Sequence, residues 1–256
     1  MKMMKYILLM LLTLATSACQ SDASKRLNED ADKRARLHYQ LGLDALHKGL
    51  VPKAFEELYI ADDIKPNQPD TLDAIAYAWR LRGDNKKAEK FYKKAIKAGA
   101  GSSTYNNYGS LLNELERYDD AIHHLTKALE DPRYRNQSLV FVNLGDAYVG
   151  KGNLEEAVKA YRKAKMLSPT WTYPEIKEAK AYTTFHRPNY AQALYETILR
   201  REPANQQALA GLIALLKGQG QDDVLRTYIQ AFIKANNDKL QQAWAKDELA
   251  MLKAAK

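Results

Sequence analysis

Few side chains in this 256-residue chain are of a type and spacing that could do chemistry. His123 and His124 are adjacent imidazoles. A bidentate metal site needs both rings aimed at one point, but neighbours on a helix point about 100° apart. The pair therefore reads as surface histidines on a helix. Asp119-Asp120 and Glu155-Glu156 are the acidic pairs that could divide acid and base roles between them. Both stand at the start of a helical pattern, where carboxylates complement the helix dipole, and need no such role. No phosphate-cradling glycine loop, no HExxH and no GxSxG occurs in the sequence. These residues point to no catalytic site, no metal and no cofactor, and so to a non-enzymatic protein.

The single cysteine, Cys19, excludes an internal disulfide and a cysteine-built metal site. Lys2 and Lys5 precede an apolar run, Tyr6 to Ala15, which is followed by Thr16-Ser17-Ala18. That order is the order of a secretory signal peptide over residues 1–18. The run reaches about 15 Å as a helix, about half of a bilayer core, and is too short to span one. A cysteine directly after small residues resembles the bacterial lipobox, in which the leader is cut before the cysteine and the new terminus carries lipid. Ser17, Ala18 and Cys19 match that pattern; Thr16 stands where leucine is usual, and Gln20 rather than aspartate follows. In proteobacterial lipoproteins the pattern implies sorting to the outer membrane. The alternative is an ordinary signal peptide followed by a leftover thiol. Loss of residues 1–18 removes two lysines and no acid, lowering the net charge from +8 to +6. The remaining lysines alternate with acids along helical patterns, as on solvated faces rather than a nucleic-acid footprint. Residues 19–34 are polar and lack apolar periodicity, and read as a tether, or a tether running into a first helical turn, that holds a folded body off a membrane.

The elements that follow are set by an internal repeat. From Gly42, steps of twelve, seven and five residues reach Ala54, Ala61 and Pro66; from Gly145 the same steps reach Ala157, Ala164 and Pro169. Ala76, Ala88 and Ala95, and Gly109, Ala121 and Ala128, keep the spacing between them. This is the tetratricopeptide (TPR) pattern, a helix-turn-helix of about 34 residues. Small residues at these positions let the two helices approach, and Leu41, Leu58, Tyr92, Tyr108, Leu125, Tyr148 and Tyr161 are expected to fill the contact. Gly49, Gly83 and Gly152 are expected to end the first helix of a pair, with Asp84, Asp119 and Asn153 starting the second. Clear repeats fall at 35–68, 69–101, 102–135 and 138–171, with an insert, DPRYRNQ, after the third. Degenerate repeats cover 172–237. Residues 238–256 form an amphipathic cap with Leu240, Ala243, Trp244, Leu249 and Leu252 at helical spacing. The expected architecture is a single all-α domain, a right-handed α-solenoid of five to six TPR repeats with a C-terminal capping helix.

Such an array offers a groove lined by four positions of each first helix. These are Arg36, Tyr39, Leu43 and Leu46 in repeat one, and Asp70, Asp73, Tyr77 and Arg80 in repeat two. Repeat three supplies Ser103, Asn106, Ser110 and Asn113; repeat four supplies Leu139, Val142, Asp146 and Val149. Apolar residues there are informative, because the core does not need them. They face either a partner or a cover formed by residues 25–34 or the terminal helix. Asn106, Asn107 and Asn143 could hydrogen-bond the backbone of a bound segment, or brace the neighbouring helix.

The stretch from Tyr105 to Tyr148 is similar to the type IV pilus biogenesis and stability lipoproteins, the PilF/PilW/Tgl pilotin family. The features that carry the resemblance are Asn106-Asn107-Tyr108-Gly109, Arg117-Tyr118 with Ala121, Asp131-Pro132 with Tyr134, and Asn143 with Gly145. The leader and a chain of about 250 residues with five to six repeats also fit. The resemblance implies a non-enzymatic lipoprotein on the periplasmic face of the outer membrane, anchored to its inner leaflet through Cys19. Its partner would be the pilus secretin subunit, whose localisation or multimer assembly it promotes; no nucleic acid or small-molecule substrate is implied. The groove of Tyr39, Leu43, Leu46, Tyr77, Asn106, Asn107 and Asn143 would hold a secretin segment. The rival reading is a general periplasmic TPR adaptor that scaffolds cell-envelope enzymes.

Overall fold

A computed structural model describes residues 27–217 and 219–254. The leader 1–18, Cys19, the first part of the expected tether and Gly218 lie outside the described residues. Every regular element among the described residues is an α-helix, thirteen in all. None of them is long and apolar enough to cross a membrane. The chain divides into two compact units, one up to Tyr108 and one from Gly109, with the boundary inside a helix.

The first unit holds α1 (27–47), α2 (Val51–Ile64), α3 (Pro69–Leu81), α4 (Asn85–Lys97) and the first turns of α5 (Ser102–Glu114). Helix α1 already covers residues 27–34, which lack apolar periodicity because the packing there is done by alanines: Ala35 is buried, and Ala31 one turn before it is half-buried. Asp32 pairs with Lys65 Nζ at 2.7 Å, which ties this stretch to the end of α2. The helical hairpins close where the repeat spacing places small residues. A Cβ on Gly42 would lie 2.6 Å from Leu58 Cγ, so only glycine lets α1 and α2 approach this closely. Gly49 and Gly83 take φ of 71° and 82° at the ends of α1 and α3, a conformation that L side chains resist. The Asp84 carboxylate then accepts from the Lys87 backbone N–H at 3.1 Å and caps α4. One expected core residue is not in the core. Leu41 is 39% exposed, whereas Ile75 at the equivalent place in α3 is fully buried. That face of a first helix packs on the helix before it, and α1 is the first helix among the described residues.

The second unit holds the rest of α5, then α6 (Tyr118–Ala128), α7 (Gln137–Gly150), α8 (Leu154–Leu167), α9 (Tyr173–Thr184), α10 (Pro188–Arg201), α11 (Gln206–Leu216), α12 (Asp222–Ala235) and α13 (Lys239–Ala254). Gly109 and Gly145 repeat the close approach, on Leu125 and Tyr161. Ala121, Ala157 and Ala191 are all fully buried. The insert between α6 and α7 is a self-closed turn: Asp131 Oδ1 accepts from the Arg133 backbone N–H at 3.0 Å, and Gln137 Nε2 donates to the Pro132 carbonyl at 3.1 Å. Asp119, expected from the sequence to start α6, does not cap it. The cap position is Arg117, and Asp119 and Asp120 sit within the first turn, where they meet the helix dipole and pair with Lys151 and Arg117 respectively.

Helices α9 to α12, where the repeat signature fades, still form two hairpins. Their core is larger and less alanine-rich, with Tyr195, Ile198, Leu209, Leu212, Ile229 and Phe232 buried in one cluster. The cap differs in phase from the sequence expectation. Leu240 is 83% exposed and Ala243 is exposed, while Ala245 and Leu252 are buried in the cluster with Trp244 and Leu249 packed against it. Amides fix this phase. Gln242 Nε2 donates to the Asn236 carbonyl at 2.6 Å, and Asn236 Nδ2 donates to Gln241 Oε1 at 2.8 Å, locking the start of α13 to the end of α12.

Three turns lack the glycine their conformation favours; one holds Asn67 at φ of 61°, a residue type that visits this region. Glu116 and His186 take φ of 57° and 55°, beyond the ends of α5 and α9 and just as Gly83 and Gly152 stand after α3 and α7. A left-handed residue with a Cβ costs about 1 kcal/mol. Glu116→Gly is therefore expected to stabilise the protein by about 0.5–1 kcal/mol, read as a raised midpoint in urea. A lowered midpoint would mean that the Glu116 side chain contributes more than the strain removes.

Candidate functional site

The first unit contains an open cleft of about 480 Å³ between the first helices of its repeats. Its walls are Tyr39, Leu43, Leu46 and His47 from α1, Asp73, Ala74 and Tyr77 from α3, and Asn107 from α5. Helical spacing explains the set: residues three and four apart share a face, and the small residues at the hairpin contacts keep the opposite faces occupied. Five of the seven residues expected to form a groove meet here: Tyr39, Leu43, Leu46, Tyr77 and Asn107. Leu46 is mostly buried and belongs also to the core cluster around Leu58 and Ile75. Tyr77 is the most open, at 39% exposed.

Asn106 is not in the cleft. It is 3% exposed, because the packed arc of α5 takes Thr104, Asn106 and Tyr108, and the next position, turned by about 100°, is the one that reaches the opening. Asn107 both lines the cleft and braces α3: its Nδ2 donates to Asp73 Oδ2 at 3.1 Å and lies 3.3 Å from Oδ1. Asn143 belongs to the second unit. Its backbone carbonyl accepts from Asn113 Nδ2 at 2.8 Å, and its side chain does not line the nearby cleft of Asn113, Tyr118, Asp146, Tyr161 and Lys177. In that cleft Tyr161 donates to Asp146 Oδ1 at 2.6 Å, and Lys177 pairs with the same carboxylate at 2.7 Å. Of the groove positions expected in α7, Val142 is buried in the core and Leu139 is exposed.

Asp73 is the residue that sequence reasoning placed in the groove register without singling out. Burial pushes its carboxyl up to about 6, with the Asp70 charge adding and the Thr104 hydroxyl and Asn107 amide offsetting part. Burial, then the charges of Asp70 and Asp73, push the Tyr39 phenol up to about 12. Folding therefore takes up a proton at Asp73 between its ordinary value of 3.8 and about 6. The Asp73 contribution to stability grows as pH falls through that window, and at neutral pH the ionised carboxylate opposes folding. The register marks the position; how far it is desolvated depends on helices that are distant in sequence.

The His123 and His124 rings meet edge to face, 5.2 Å apart at 81°. No group of three or more His, Cys, Asp or Glu among the described residues is placed to hold a metal ion. What the cleft offers is apolar area, two phenols, an amide and one desolvated carboxylate, a set suited to holding a side chain or a short segment.

The tetratricopeptide repeat family matches residues 102–165. The type IV pilus assembly protein PilF of Pseudomonas aeruginosa is 30% identical over 142 residues, covering 54% of this chain and 56% of that protein. The BBSome complex member BBS4 of Bos taurus is 24% identical over 213 residues, covering 82% of this chain and 40% of that protein. The chain thus spans about half the length, or less, of these curated relatives. Among solved structures, Pseudomonas aeruginosa PilF superposes with a TM-score of 0.68 at 24% identity, over 86% of this chain and 99% of that one. PilW, described as a widely conserved type IV pilus biogenesis factor, superposes with a TM-score of 0.71 at 18% identity, over 85% and 97%. The chain carries a tetratricopeptide repeat match at 102–165, is similar in sequence to PilF over about half its length, and shares the fold of PilF and PilW, proteins of type IV pilus assembly and biogenesis.

Proposed function

We propose that the chain is a pilotin-like assembly factor of type IV pilus biogenesis, a binding protein rather than a catalyst. In this reading Cys19 carries lipid and holds the protein at the periplasmic face of the outer membrane. The cleft of the first unit receives a segment of the secretin subunit and keeps its apolar surface from water until the subunits assemble. The observation that carries the reading is the open, partly apolar cleft of Tyr39, Leu43, Leu46 and Tyr77 in a chain similar to a type IV pilus assembly protein. Aromatic and apolar side chains left partly open at a cleft, as Tyr39, Leu43 and Tyr77 are here, are the usual mark of a docking surface.

In a strain lacking the protein, SDS-resistant secretin multimers are expected to be lost while secretin monomer persists. Normal multimer yield there overturns the proposal. Cys19→Ser is expected to leave the folded domain intact and to release it from the membrane fraction; unchanged membrane association would remove the lipid anchor from the reading. Within the cleft, Tyr77→Asp is the clean test. Tyr77 is open to solvent, whereas Leu43 is packed against the core cluster of the unit, so a charge at 43 would perturb folding as well as binding. Tyr77→Asp is expected to weaken secretin capture by about ten-fold or more, the scale of a lost interface anchor, with helicity by circular dichroism unchanged. Undiminished capture would move the site away from this cleft.

A further inference from the structure

The chemistry of the cleft in the first unit is uneven in a way that constrains what enters it. Leu43, Leu46 and Ala74 supply apolar wall, and Tyr39 and Tyr77 add aromatic side chains to it. Asp73 stands among them with its carboxylate held by the Asn107 amide, and the Thr104 hydroxyl beside it is likewise neutral. A carboxylate has room for about four hydrogen bonds, and neutral donors replace only part of the hydration that burial removes. Other groups that face or act on Asp73 are few. Asp70, on the same helix, adds negative charge. Burial, and then these carboxylates, hold the Tyr39 phenol from α1 protonated. The Tyr92 hydroxyl from α4 lies beside both Asp73 and Arg80, and His47 from α1 is a second titratable group on the cleft wall. The local field at the carboxylate is thus unfavourable to its own charge, and a cation brought in from outside would relieve it.

We infer that this cleft selects a partner segment presenting a lysine or arginine flanked by apolar residues, with the cation placed against Asp73. The side chain that fits is long and amphipathic. Its methylene stem lies along Leu43, Leu46 and Ala74, its charge meets a carboxylate in a partly dry site where such a bond is strong, and the aromatic side chains of Tyr39 and Tyr77 line the same cleft. A wholly apolar segment would fill the walls and leave Asp73 desolvated without compensation. An acidic one would be repelled by Asp73 and Asp70 together. The inference rests on the reading of this cleft as the docking site, and names the chemistry of the segment it takes.

The test uses the folded, full-length mature protein and synthetic probes. A fluorescein-labelled twelve-residue peptide, apolar at flanking positions and carrying one central Lys, is titrated against the same peptide with Arg, Met or Glu at that position. At pH 7.5 the Lys and Arg peptides are expected to bind about ten-fold tighter than the Met peptide, the worth of one charge-assisted hydrogen bond, and the Glu peptide weakest. Asp73→Asn is expected to bring the Lys peptide down to the affinity of the Met peptide and to leave the Met peptide unchanged. At pH 5 the preference of the unaltered protein is expected to shrink in the same direction, whereas Asp73→Asn, which leaves His47 in place, shows no preference to lose. Should Asp73→Asn fold poorly, Asp70→Asn, at an open position, is expected to reduce the preference two- to three-fold without touching the walls. Equal affinity for the Lys and Met peptides, a preference that survives Asp73→Asn, or no measurable binding of any peptide overturns the inference. These outcomes are separable from the proposed function. Lost secretin multimers in the deletion strain together with equal peptide affinities would leave the assembly role and remove the cation selectivity, and normal multimers with a strong Lys preference would do the reverse.

Discussion

Replacing Gly145 by valine is expected to lower the stability of the protein by about 3 kcal/mol or more, the upper range of overpacking in a filled core. The geometry leaves little room for escape. A Cβ at Gly145 would lie 2.3 Å from Cε1 and 2.6 Å from Cδ1 of Tyr161. That ring cannot swing aside at low cost: Tyr161 is fully buried, and its hydroxyl donates to Asp146, which is itself paired with Lys177. The ring is therefore held at its body by packing and at its tip by a carboxylate; burial, and then that charge, keep the phenol protonated far above its ordinary range. The helices α7 and α8 would have to part, and every contact that depends on their spacing would weaken with them. Valine is a better helix former than glycine by a few tenths of a kcal/mol, so local propensity works against the predicted loss and makes the test stringent. The measurement is the urea midpoint and slope of the variant, with Gly101→Ala as control, since a Cβ at Gly101 would meet nothing within 4 Å. A variant as stable as the parent would mean that the close approach of α7 and α8 is not what requires glycine at this position.

The second large effect concerns the other end of the same unit. Phe232→Ala is expected to cost about 3–5 kcal/mol, as for other large aromatic-to-alanine truncations in cores. Phe232 is fully buried and meets Trp244 of α13 edge to face, with centroids 5.8 Å apart at 84°. It stands in the cluster that holds Leu225, Ile229, Ala245 and Leu252 together. Truncation leaves a cavity at the seat of the terminal helix. The near-UV circular dichroism of Trp244 should fade, and amide exchange in α13 should quicken more than that in α7 and α8. Equal quickening throughout would show that α13 unfolds only with the whole unit, not as a separately opening cap.

Both effects arise where small and large residues meet across helices, and that exchange is also what frees the cleft faces for binding. In α1 to α8 the close approaches within each hairpin are made at glycine and alanine, so parts of the first-helix faces stay partly open. Tyr39, Leu43 and Tyr77 can remain at an opening for this reason.

What the sequence by itself determined was the helical-hairpin architecture and its register. Gly42, Ala54 and Ala61, with their counterparts through Gly145, Ala157 and Ala164, specify close packing through spacing alone, and spacing is a local property of the chain. The turns at Gly49 and Gly83 and the caps at Asp84 and Asn153 are legible for the same reason. The groove was legible in outline: Tyr39, Leu43, Leu46 and Tyr77 follow from the register. Tertiary structure decided the rest. Asn106 and Asn107 are neighbours of one residue type, and only the rotation of α5 against its neighbours buries the first and opens the second. Leu240 and Leu252 both fit an apolar stripe on α13, and the amides of Asn236, Gln241 and Gln242 select the phase that buries one and exposes the other. The environment of Asp73 depends on α1, α4 and α5 together, so the desolvation that makes it a candidate recognition group is a sum over distant segments that no local pattern contains.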